Sequence, residues 1–318
     1  MKSIGVLIVG AGSMAHRHAA AIQAYGDRVV AVVDQIPMRA TELAQMYQAV
    51  AFENLQDSRV SEIAFESAVI ASPTMEHYQQ TLDLLKYKIP LLVEKPHRSP
   101  LQDPVFLTMA EGSKEYVFVG MTTRHWPGFR EIKETLHSGQ LGTMISYSDR
   151  LHYLLTPDSL PNWYFDPKIS GGGVLLTNGV HAFDRVLDLL REMPTLVSAQ
   201  LSSIFPNHKC EDSAEIQLKT ALNSPVSLSM SWVPYEPIET GLMIHCSKGE
   251  AKLNMDGSWS ISTLDNERSG PALGTTDPFL LQWQAFREHT PGFELARLEL
   301  TMKMIETIYR NNSGVNYE

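Results

Sequence analysis

The chain has 318 residues, of which 43% are hydrophobic, so it is long enough to form two domains with ordinary apolar cores. Its 26 Lys and Arg residues are outnumbered by 36 Asp and Glu residues, and the formal charge of −10 argues against a general nucleic-acid-binding protein. Two cysteines provide no disulfide framework, and no stretch approaches the ~20 apolar residues of a membrane span, so we expect a soluble, cytoplasmic protein.

Residues 1–121 alternate between strand-like and helix-like segments. Short apolar or β-branched runs predict strands at 4–9, 28–33, 68–71, 90–93 and 116–119. Helical patterns between them cover 14–25, 38–47, 75–87 and 104–112. Strands that alternate with helices predict a parallel sheet with right-handed crossovers. We therefore expect residues 1–121 to form a Rossmann dinucleotide-binding domain.

The pattern changes in residues 122–318. A helix at 128–138 and a strand at 143–154 precede a glycine run at 171–173 and a helix ending near residue 190. Strands without intervening helices are then predicted at 195–205, 214–220, 226–232, 242–246, 251–255 and 259–263. A polar loop at 264–277 precedes helices at 279–289 and 294–311. These elements predict an α+β domain with an open, mostly antiparallel sheet. One face of such a sheet would need a partner, which favours a homodimer or homotetramer, and the family resemblance given below assigns substrate binding to this domain.

A glycine-rich loop follows the first predicted strand and opens the first predicted helix. Its sequence, Gly10 to Ala15, is G-x-G-x-x-A: Gly10 permits the tight turn, and Gly12 lets the backbone approach a pyrophosphate. The N–H groups at Ser13 and Met14 would lie at the helix N-terminus, which favours anions. The alternative interpretation is a tight turn in an unrelated α/β protein.

An acidic residue follows the second predicted strand. Asp34 lies 22 positions after Gly12 (34 − 12), close to the spacing of the carboxylate that binds an adenosine ribose. A carboxylate there would repel a 2′-phosphate, so the sequence favours NAD over NADP. Arg39 leaves NADP open because an arginine can accommodate the extra phosphate; otherwise it is a solvated residue of a helical turn.

A lysine stands at the end of an apolar run, in the sequence Leu92-Val93-Glu94-Lys95-Pro96. Burying an unpaired ammonium group is costly, so lysines normally lie on solvated surfaces. At the carboxyl end of a parallel strand, however, Lys95 can point into the ligand crevice of an α/β sheet. The alternative is a surface lysine after an edge strand.

Several motifs together give the chain a family resemblance. Val93-Glu94-Lys95-Pro96 resembles a segment of the glucose–fructose oxidoreductase / inositol dehydrogenase / MocA family. Further matching segments follow the family order over nearly the whole chain: 70–74 with His77, 138–142, 163–173, 179–181 with Asp184, and 297–310.

The resemblance implies an NAD(P)-dependent oxidoreductase that acts on a carbohydrate or polyol. Lys95 would bind the reacting hydroxyl and His181 would take or give its proton. Glu94 would orient the lysine or contact the cofactor, and Pro96 would fix the turn, for which a cis bond is one option. The loop residues that the resemblance places beside the cofactor are Ser72, Thr74 and His77. Alcohol oxidation releases a proton, which a histidine accepts near neutral pH, and an ammonium stabilises the developing alkoxide.

The same alignment gives a set of substrate-binding residues: Arg124, His152, Trp163, Asn178, His181 and Asp184. For Arg124, His152 and Trp163 the alternative is interdomain packing or an aromatic core, and for His181 it is a helix residue satisfied by Asp184. Asp184 would orient His181, pair with Arg191 or cap local structure. Many family members carry an aspartate where this chain has Thr177, one helical turn before His181, so a Lys/Asp/His trio is in doubt.

Two other functions are open at this point. One is a biliverdin-reductase-like enzyme, which the segment Glu94-Lys95-Pro96 disfavours. The other is a non-catalytic dinucleotide- or sugar-sensing regulatory protein, which Thr177 leaves open and which Lys95 and His181 disfavour. A metal is not expected, since no close ligand spacing such as H-E-x-x-H occurs.

Overall fold

The computed structural model describes residues 2–100, 102, 116–155, 162–205, 208–233, 235, 240–288 and 293–312. The helix predicted at 104–112 lies outside these residues. The chain divides into two compact units, Met1–Thr122 with Thr276–Glu299, and Thr123–Thr275 with Leu300–Glu318. The sequence predicted a single domain boundary after residue 121. In the structure, residues 276–299 also belong to the first unit.

The helices begin and end close to the predicted positions. In chain order they are α1 (Ser13–Tyr25), α2 (Pro37–Tyr47), α3 (Thr74–Leu85), α4 (Pro127–His137), α5 (Pro167–Ser170), α6 (Val180–Leu190), α7 (Pro278–Glu288) and α8 (Phe293–Asn311). A π-helical turn, Leu175–Gly179, leads into α6. Gly26 ends α1 in the left-handed conformation, φ +100°, a usual helix stop. In the described part of the chain, no helix has both the length and the apolar character needed to cross a membrane.

The first unit contains a six-stranded parallel sheet in the order β3-β2-β1-β4-β5-β6. Its strands are β1 (Gly5–Val9), β2 (Arg28–Val33), β3 (Val50–Phe52), β4 (Ser67–Ile70), β5 (Leu91–Val93) and β6 (Val117–Val119). This order confirms the predicted Rossmann-like sheet, with the switch point between β1 and β4. The edge strand β3 was not predicted: only Phe52 of its three residues is buried, whereas the equally short β5 and β6 are fully buried apolar runs.

Helix α7 completes the core of the first unit. Its aromatic residues Phe279, Trp283 and Phe286 pack in the same hydrophobic cluster as the buried residues of α1 and β1. The indole N–H of Trp283 donates to Oδ2 of Asp27 at 3.0 Å, and Arg287 pairs with the same carboxylate. A segment late in the chain therefore fixes the helix that follows the glycine-rich loop.

The second unit contains an eight-stranded, mostly antiparallel sheet in the order β14-β13-β12-β11-β7-β10-β9-β8, in which β7 and β10 are parallel. Its strands are β7 (Met144–Leu154), β8 (Thr195–Ser202), β9 (Ser213–Lys219), β10 (Pro225–Val233), β11 (Gly241–Cys246), β12 (Gly249–Asn254), β13 (Trp259–Thr263) and β14 (Glu267–Gly270). The mostly antiparallel sheet was predicted, but 264–277 is not entirely a loop as expected. Edge strand β14 pairs with β13 and carries charged and small residues, which hid it from the sequence pattern.

Candidate functional site

The turn after β1 requires glycine at its first position. Gly10 has φ +93°, and a Cβ atom there would come within 2.7 Å of the Ala71 carbonyl group and of the Ser72 nitrogen. Its N–H donates to the Val33 carbonyl at 2.7 Å. The turn therefore contacts the end of β2 on one side and the residues that follow β4 on the other. A side chain at this position would be strained by the backbone conformation and would also clash.

Helix α1 begins at the open side of this turn. Gly12 is its N-cap, no side chain caps the helix, and the space around a Cβ of Gly12 is empty for 4 Å. Ser13 and Met14 are exposed in the first turn. First-turn N–H groups that face open space at the positive end of a helix dipole fit a phosphate group.

Asp34 is held beside this turn by the backbone. Its Oδ2 accepts the Ala11 N–H at 2.7 Å, and its Oδ1 accepts the Ile36 N–H at 2.8 Å. Each carboxylate oxygen keeps a second lone pair, so Asp34 can also accept from ribose hydroxyls. Gly10, Gly12, Ser13, Met14 and Asp34 are thus brought to one edge of the sheet, and their donors and acceptor fit a dinucleotide. Arg39 is exposed on α2.

The segment after β5 contains a buried carboxylate next to the lysine. Oε1 of Glu94 lies 2.7 Å from Nε2 of His18 on α1, and Oε2 accepts the backbone N–H of Lys95 at 3.1 Å. Burial raises the pKa of the Glu94 carboxyl, but the hydrogen bond and charge of His18, with the charge of Lys95, lower it more, so the net pKa lies below the usual range. Burial lowers the pKa of the Lys95 ammonium group, and the charge of Glu94 opposes this shift. The Lys95-Pro96 peptide bond is cis, as predicted.

His77 was predicted to contact the cofactor, but its ring joins two loops. Nδ1 lies 2.8 Å from the Pro96 carbonyl oxygen, and Nε2 lies 2.7 Å from the Ser72 carbonyl oxygen. The residue is buried, and desolvation lowers the pKa of its imidazole while the two carbonyls oppose the shift. His77 therefore links the loops that follow β4 and β5. Thr74 is also buried, at the start of α3.

The residues after Pro96 are anchored by the last helix. Arg98 donates from Nε and Nη2 to the Glu299 carboxylate at 2.8–3.2 Å, and Nε2 of His97 lies 2.9 Å from Oε1 of the same group. All three side chains are buried. Burial raises the pKa of Glu299, but hydrogen bonds and charges from His97 and Arg98 outweigh it and lower the pKa to about 2. Sequence analysis missed this anchor because its members lie about 200 positions apart.

In the second unit, helix α6 is fixed by ion pairs on two faces. Asp184 accepts from Nε of Arg124 at 2.8 Å and also from Nη2 of that arginine. Nε of Arg185 donates to Asp149 on β7 at 2.8 Å, and a second bond from Nη2 completes a buried, two-point contact. The structure thus brings the predicted substrate residues Arg124 and Asp184 together, as partners of each other. The pairing with Arg124 is a contact that was not among the three roles predicted for Asp184, which were orienting His181, pairing with Arg191 and capping local structure; those roles stay predictions.

The turn before α6 carries Thr177, Asn178 and, one turn later, His181. The Thr177 hydroxyl donates to the Gly173 carbonyl at 2.8 Å, and it forms a side-chain hydrogen bond with Tyr164. Oδ1 of Asn178 accepts the indole N–H of Trp232 at 2.9 Å. Thr177 thus bonds to the helix backbone and a tyrosine, and Asn178 is fixed by a tryptophan. His181 is half-buried at the second residue of α6.

Glu211 organises the glycine run, and no motif in the sequence pointed to it. Its buried carboxylate accepts the N–H groups of Gly173 at 3.1 Å and Leu175 at 2.9 Å, and the Tyr309 hydroxyl donates to it at 2.9 Å. A Cβ at Gly173 would come within 2.0 Å of the Glu211 carbonyl oxygen, which explains the glycine.

His152 lies on the face of the second sheet opposite Tyr153. Alternate β7 residues point to opposite faces, and the face of Asp149 and Tyr153 is the one that bonds to Arg185 and Asn178. His152 instead bonds through Nδ1 to the Ser231 hydroxyl at 2.6 Å. His152 is therefore not on the face that contacts Asn178 and α6. His152, Asn178 and two residues of α6, His181 and Asp184, were all predicted to bind substrate.

Trp163 lies in an aromatic group before α5. Its ring centroid is 5.7 Å from that of Tyr164, which in turn lies 5.6 Å from that of Trp232. Trp163 is half-buried, so one part of its ring remains accessible while the group packs against β10.

Comparisons with known protein families match both units. A model described as an oxidoreductase family with an NAD-binding Rossmann fold matches residues 4–121. A model of the GFO/IDH/MocA C-terminal domain matches residues 129–252. The glycine-rich loop, Asp34 and Lys95 fall within the first match, and His181 falls within the second.

Individual relatives are similar over different lengths. The chain is 29% identical over 203 residues to inositol 2-dehydrogenase 4 of Saccharopolyspora erythraea, covering 63% of this chain and 57% of that protein. It is 27% identical over 298 residues to inositol 2-dehydrogenase 1 of Mycolicibacterium vanbaalenii, covering 86% and 82%. The chain thus spans little more than half the length of the first relative.

A solved structure shares the fold. An oxidoreductase from Agrobacterium radiobacter, in complex with NAD+, L-tartaric acid and magnesium, superposes with a TM-score of 0.83 at 17% identity, covering 99% of this chain and 98% of that one. At this identity the likeness shows the fold alone.

Proposed function

The chain belongs to the GFO/IDH/MocA family of oxidoreductases, and on that premise we propose that it transfers a hydride between NAD and a hydroxyl or carbonyl group of a carbohydrate or polyol. The observation that carries the proposal is the place of Lys95 at the carboxyl end of β5, where its backbone N–H donates to the buried carboxylate of Glu94 and the charge of that carboxylate acts on its ammonium group, in the same unit as the glycine-rich loop. The two relatives named inositol 2-dehydrogenase support a polyol as the substrate.

Lys95 is assigned to the reacting oxygen. When an alcohol is oxidised, its carbon loses a hydride and its oxygen loses a proton, so negative charge develops on that oxygen. A nearby ammonium group stabilises this charge more effectively in a desolvated site than in water. NAD, when bound, supplies the hydride acceptor. Gly10, Gly12, Ser13, Met14 and Asp34 would hold it.

His181 is assigned to the proton. An imidazole has an ordinary pKa near neutrality, so it accepts or gives a proton without large tuning. The ion pairs of Asp184 and Arg185 fix α6, which keeps the position of His181 well defined. Thr177 carries no charge, so it does not raise the basicity of His181 as an aspartate would.

An NAD-coupled substrate screen tests the proposal. Purified protein is assayed for NADH formation with cyclitols, aldoses, sugar acids and nucleotide sugars, and for NADH consumption with ketoses. We expect turnover with at least one compound, and we expect His181→Ala to lower kcat for it by about 10²–10⁴-fold. Tight NADH binding without turnover on any compound would instead identify a regulatory protein.

The choice of cofactor is tested at Asp34. We expect a higher kcat/KM with NAD+ than with NADP+, because the carboxylate accepts from ribose hydroxyls and repels a 2′-phosphate. Asp34→Ser should reduce the NAD+/NADP+ ratio of kcat/KM by roughly ten- to a hundredfold, the equivalent of one or two hydrogen bonds to a charged group. Exposed Arg39 is the control: an NAD+/NADP+ ratio that rises in Arg39→Ala would mean that this arginine binds the 2′-phosphate of NADP+.

A further inference from the structure

The Glu94 carboxylate accepts hydrogen bonds from two segments. Its Oε1 faces Nε2 of His18 at 2.7 Å, and its Oε2 faces the backbone N–H of Lys95 at 3.1 Å. The side chain of His18 is 1% exposed and that of Glu94 is 8% exposed. Because both side chains are almost fully buried, the orientation of the carboxylate depends on these protein contacts.

The contact with Glu94, and not packing, explains why residue 18 is a histidine. Its neighbours on the inward side of α1, Ala15, Ala19 and Ile22, are buried and apolar, so packing alone does not require a histidine there. Oε1 is an acceptor, so Nε2 carries the proton that faces it in either charge state of the ring. Within the described residues, Nδ1 of His18 has no hydrogen-bond partner, while the ring packs edge-on to Phe279 at 4.8 Å. The contact with Glu94 is therefore the polar interaction that explains the residue.

We propose that His18 is a positioning residue, which donates from Nε2 to Glu94 and so holds that carboxylate where its charge stabilises the ammonium form of Lys95. The proposal rests on the proposed function of Lys95. It also connects α1, the helix that opens at the glycine-rich loop, to the lysine through one carboxylate.

The charges around Glu94 set the direction of the expected effect. They are His18 on α1, Lys95 beside it and His77 on α3. Burial lowers the pKa of Lys95 and the charge of Glu94 raises it, so loss of that charge lowers the pKa of Lys95 further. Without the His18 bond, Oε1 loses the contact that orients the carboxylate, and only Lys95 still opposes the burial that raises the pKa of Glu94. Removing either side chain should therefore shift the titration of Lys95 to lower pH.

The titration of Lys95 can be measured without turnover. The full-length protein is labelled with [13C]lysine, and the Lys95 signal is identified by its absence in Lys95→Met. We expect a midpoint lower by about one pH unit in both His18→Leu and Glu94→Gln, the scale of one nearby opposite charge. His18→Gln should retain the wild-type midpoint, because its amide nitrogen reaches the place of Nε2.

A double-variant comparison separates positioning from general support of the fold. If His18 acts through Glu94, adding His18→Leu to Glu94→Gln changes the midpoint no further. His16→Leu, two residues earlier on the same helix, should leave the midpoint unchanged. A folded His18→Leu protein with the wild-type midpoint would overturn the proposal.

The experiment still decides the proposal if His18→Leu does not fold, or if Lys95 has no catalytic role. Should His18→Leu not fold, His18→Asn replaces it, since asparagine is too short to reach Oε1; equal midpoints in His18→Asn and His18→Gln would overturn the proposal. If the midpoints shift as expected but Lys95→Met keeps wild-type turnover, the positioning role of His18 stands and the catalytic role of Lys95 fails.

Discussion

Replacing Lys95 with alanine is expected to lower kcat by about 10²–10⁴-fold, the range typical of a positioned proton-transfer or charge-stabilising group. The ammonium would act on the charge that develops in the transition state, so its loss should reduce kcat more than it raises KM. Steady-state kinetics on the best substrate from the screen measure this effect.

Cofactor binding should survive the same substitution. The glycine-rich loop and Asp34 lie on β1, α1 and β2, and their contacts do not involve the Lys95 side chain. The dissociation constant for NADH, followed by fluorescence, should thus change by less than about threefold, under 1 kcal/mol. Lys86→Ala removes an exposed lysine nine positions earlier and provides the control. A Lys95→Ala enzyme within tenfold of wild-type kcat would contradict the proposed mechanism.

Local motifs explain why much of the first unit could be predicted. The turn at Gly10 needs a glycine because its φ is positive and because the backbone of Ala71 and Ser72 lies close to it. Such local requirements produce a motif of a few adjacent residues, which can be recognised in the sequence. The position of Lys95 at a strand end could likewise be inferred, because an apolar run ends there. Edge strands β3 and β14 left no such pattern, since only one residue of β3 is buried and β14 is polar.

Contacts between distant parts of the sequence could not be predicted. His18 and Glu94 are separated by 76 positions, and Arg124 and Asp184 by 60, so no periodicity relates the partners. The alternation along β7 indicates that His152 and Tyr153 point to opposite faces, but it does not indicate which face α6 covers. The assignment of His152 to the substrate came from the family resemblance, which does not indicate the face on which a side chain lies, and it stays a prediction.

The largest loss of stability is expected from Glu299→Ala. Arg98 is fully buried, and removal of Glu299 leaves its guanidinium group without the carboxylate that it contacts at two points. Breaking a buried ion pair from one side costs about 3–5 kcal/mol of unfolding free energy, which urea denaturation measures. Glu288→Ala, at an exposed position on α7, should cost less than about 0.5 kcal/mol. The double variant Arg98→Met/Glu299→Leu should regain most of the loss, since apolar replacement of both partners removes the uncompensated charge.

The pH dependence of this loss distinguishes an ion pair from simple packing. The pKa of Glu299 is lowered to about 2 in the folded chain, against roughly 4.3 for an unfolded glutamate. A carboxyl group with a depressed pKa contributes stability that is fully present above its unfolded pKa and is lost as the pH falls towards the folded value. The difference in unfolding free energy between wild type and Glu299→Ala should therefore be constant above about pH 5.5 and shrink steadily below pH 4.3. A difference that stays constant down to pH 3 would mean that Glu299 supports the Lys95 segment by volume, because packing has no proton to lose.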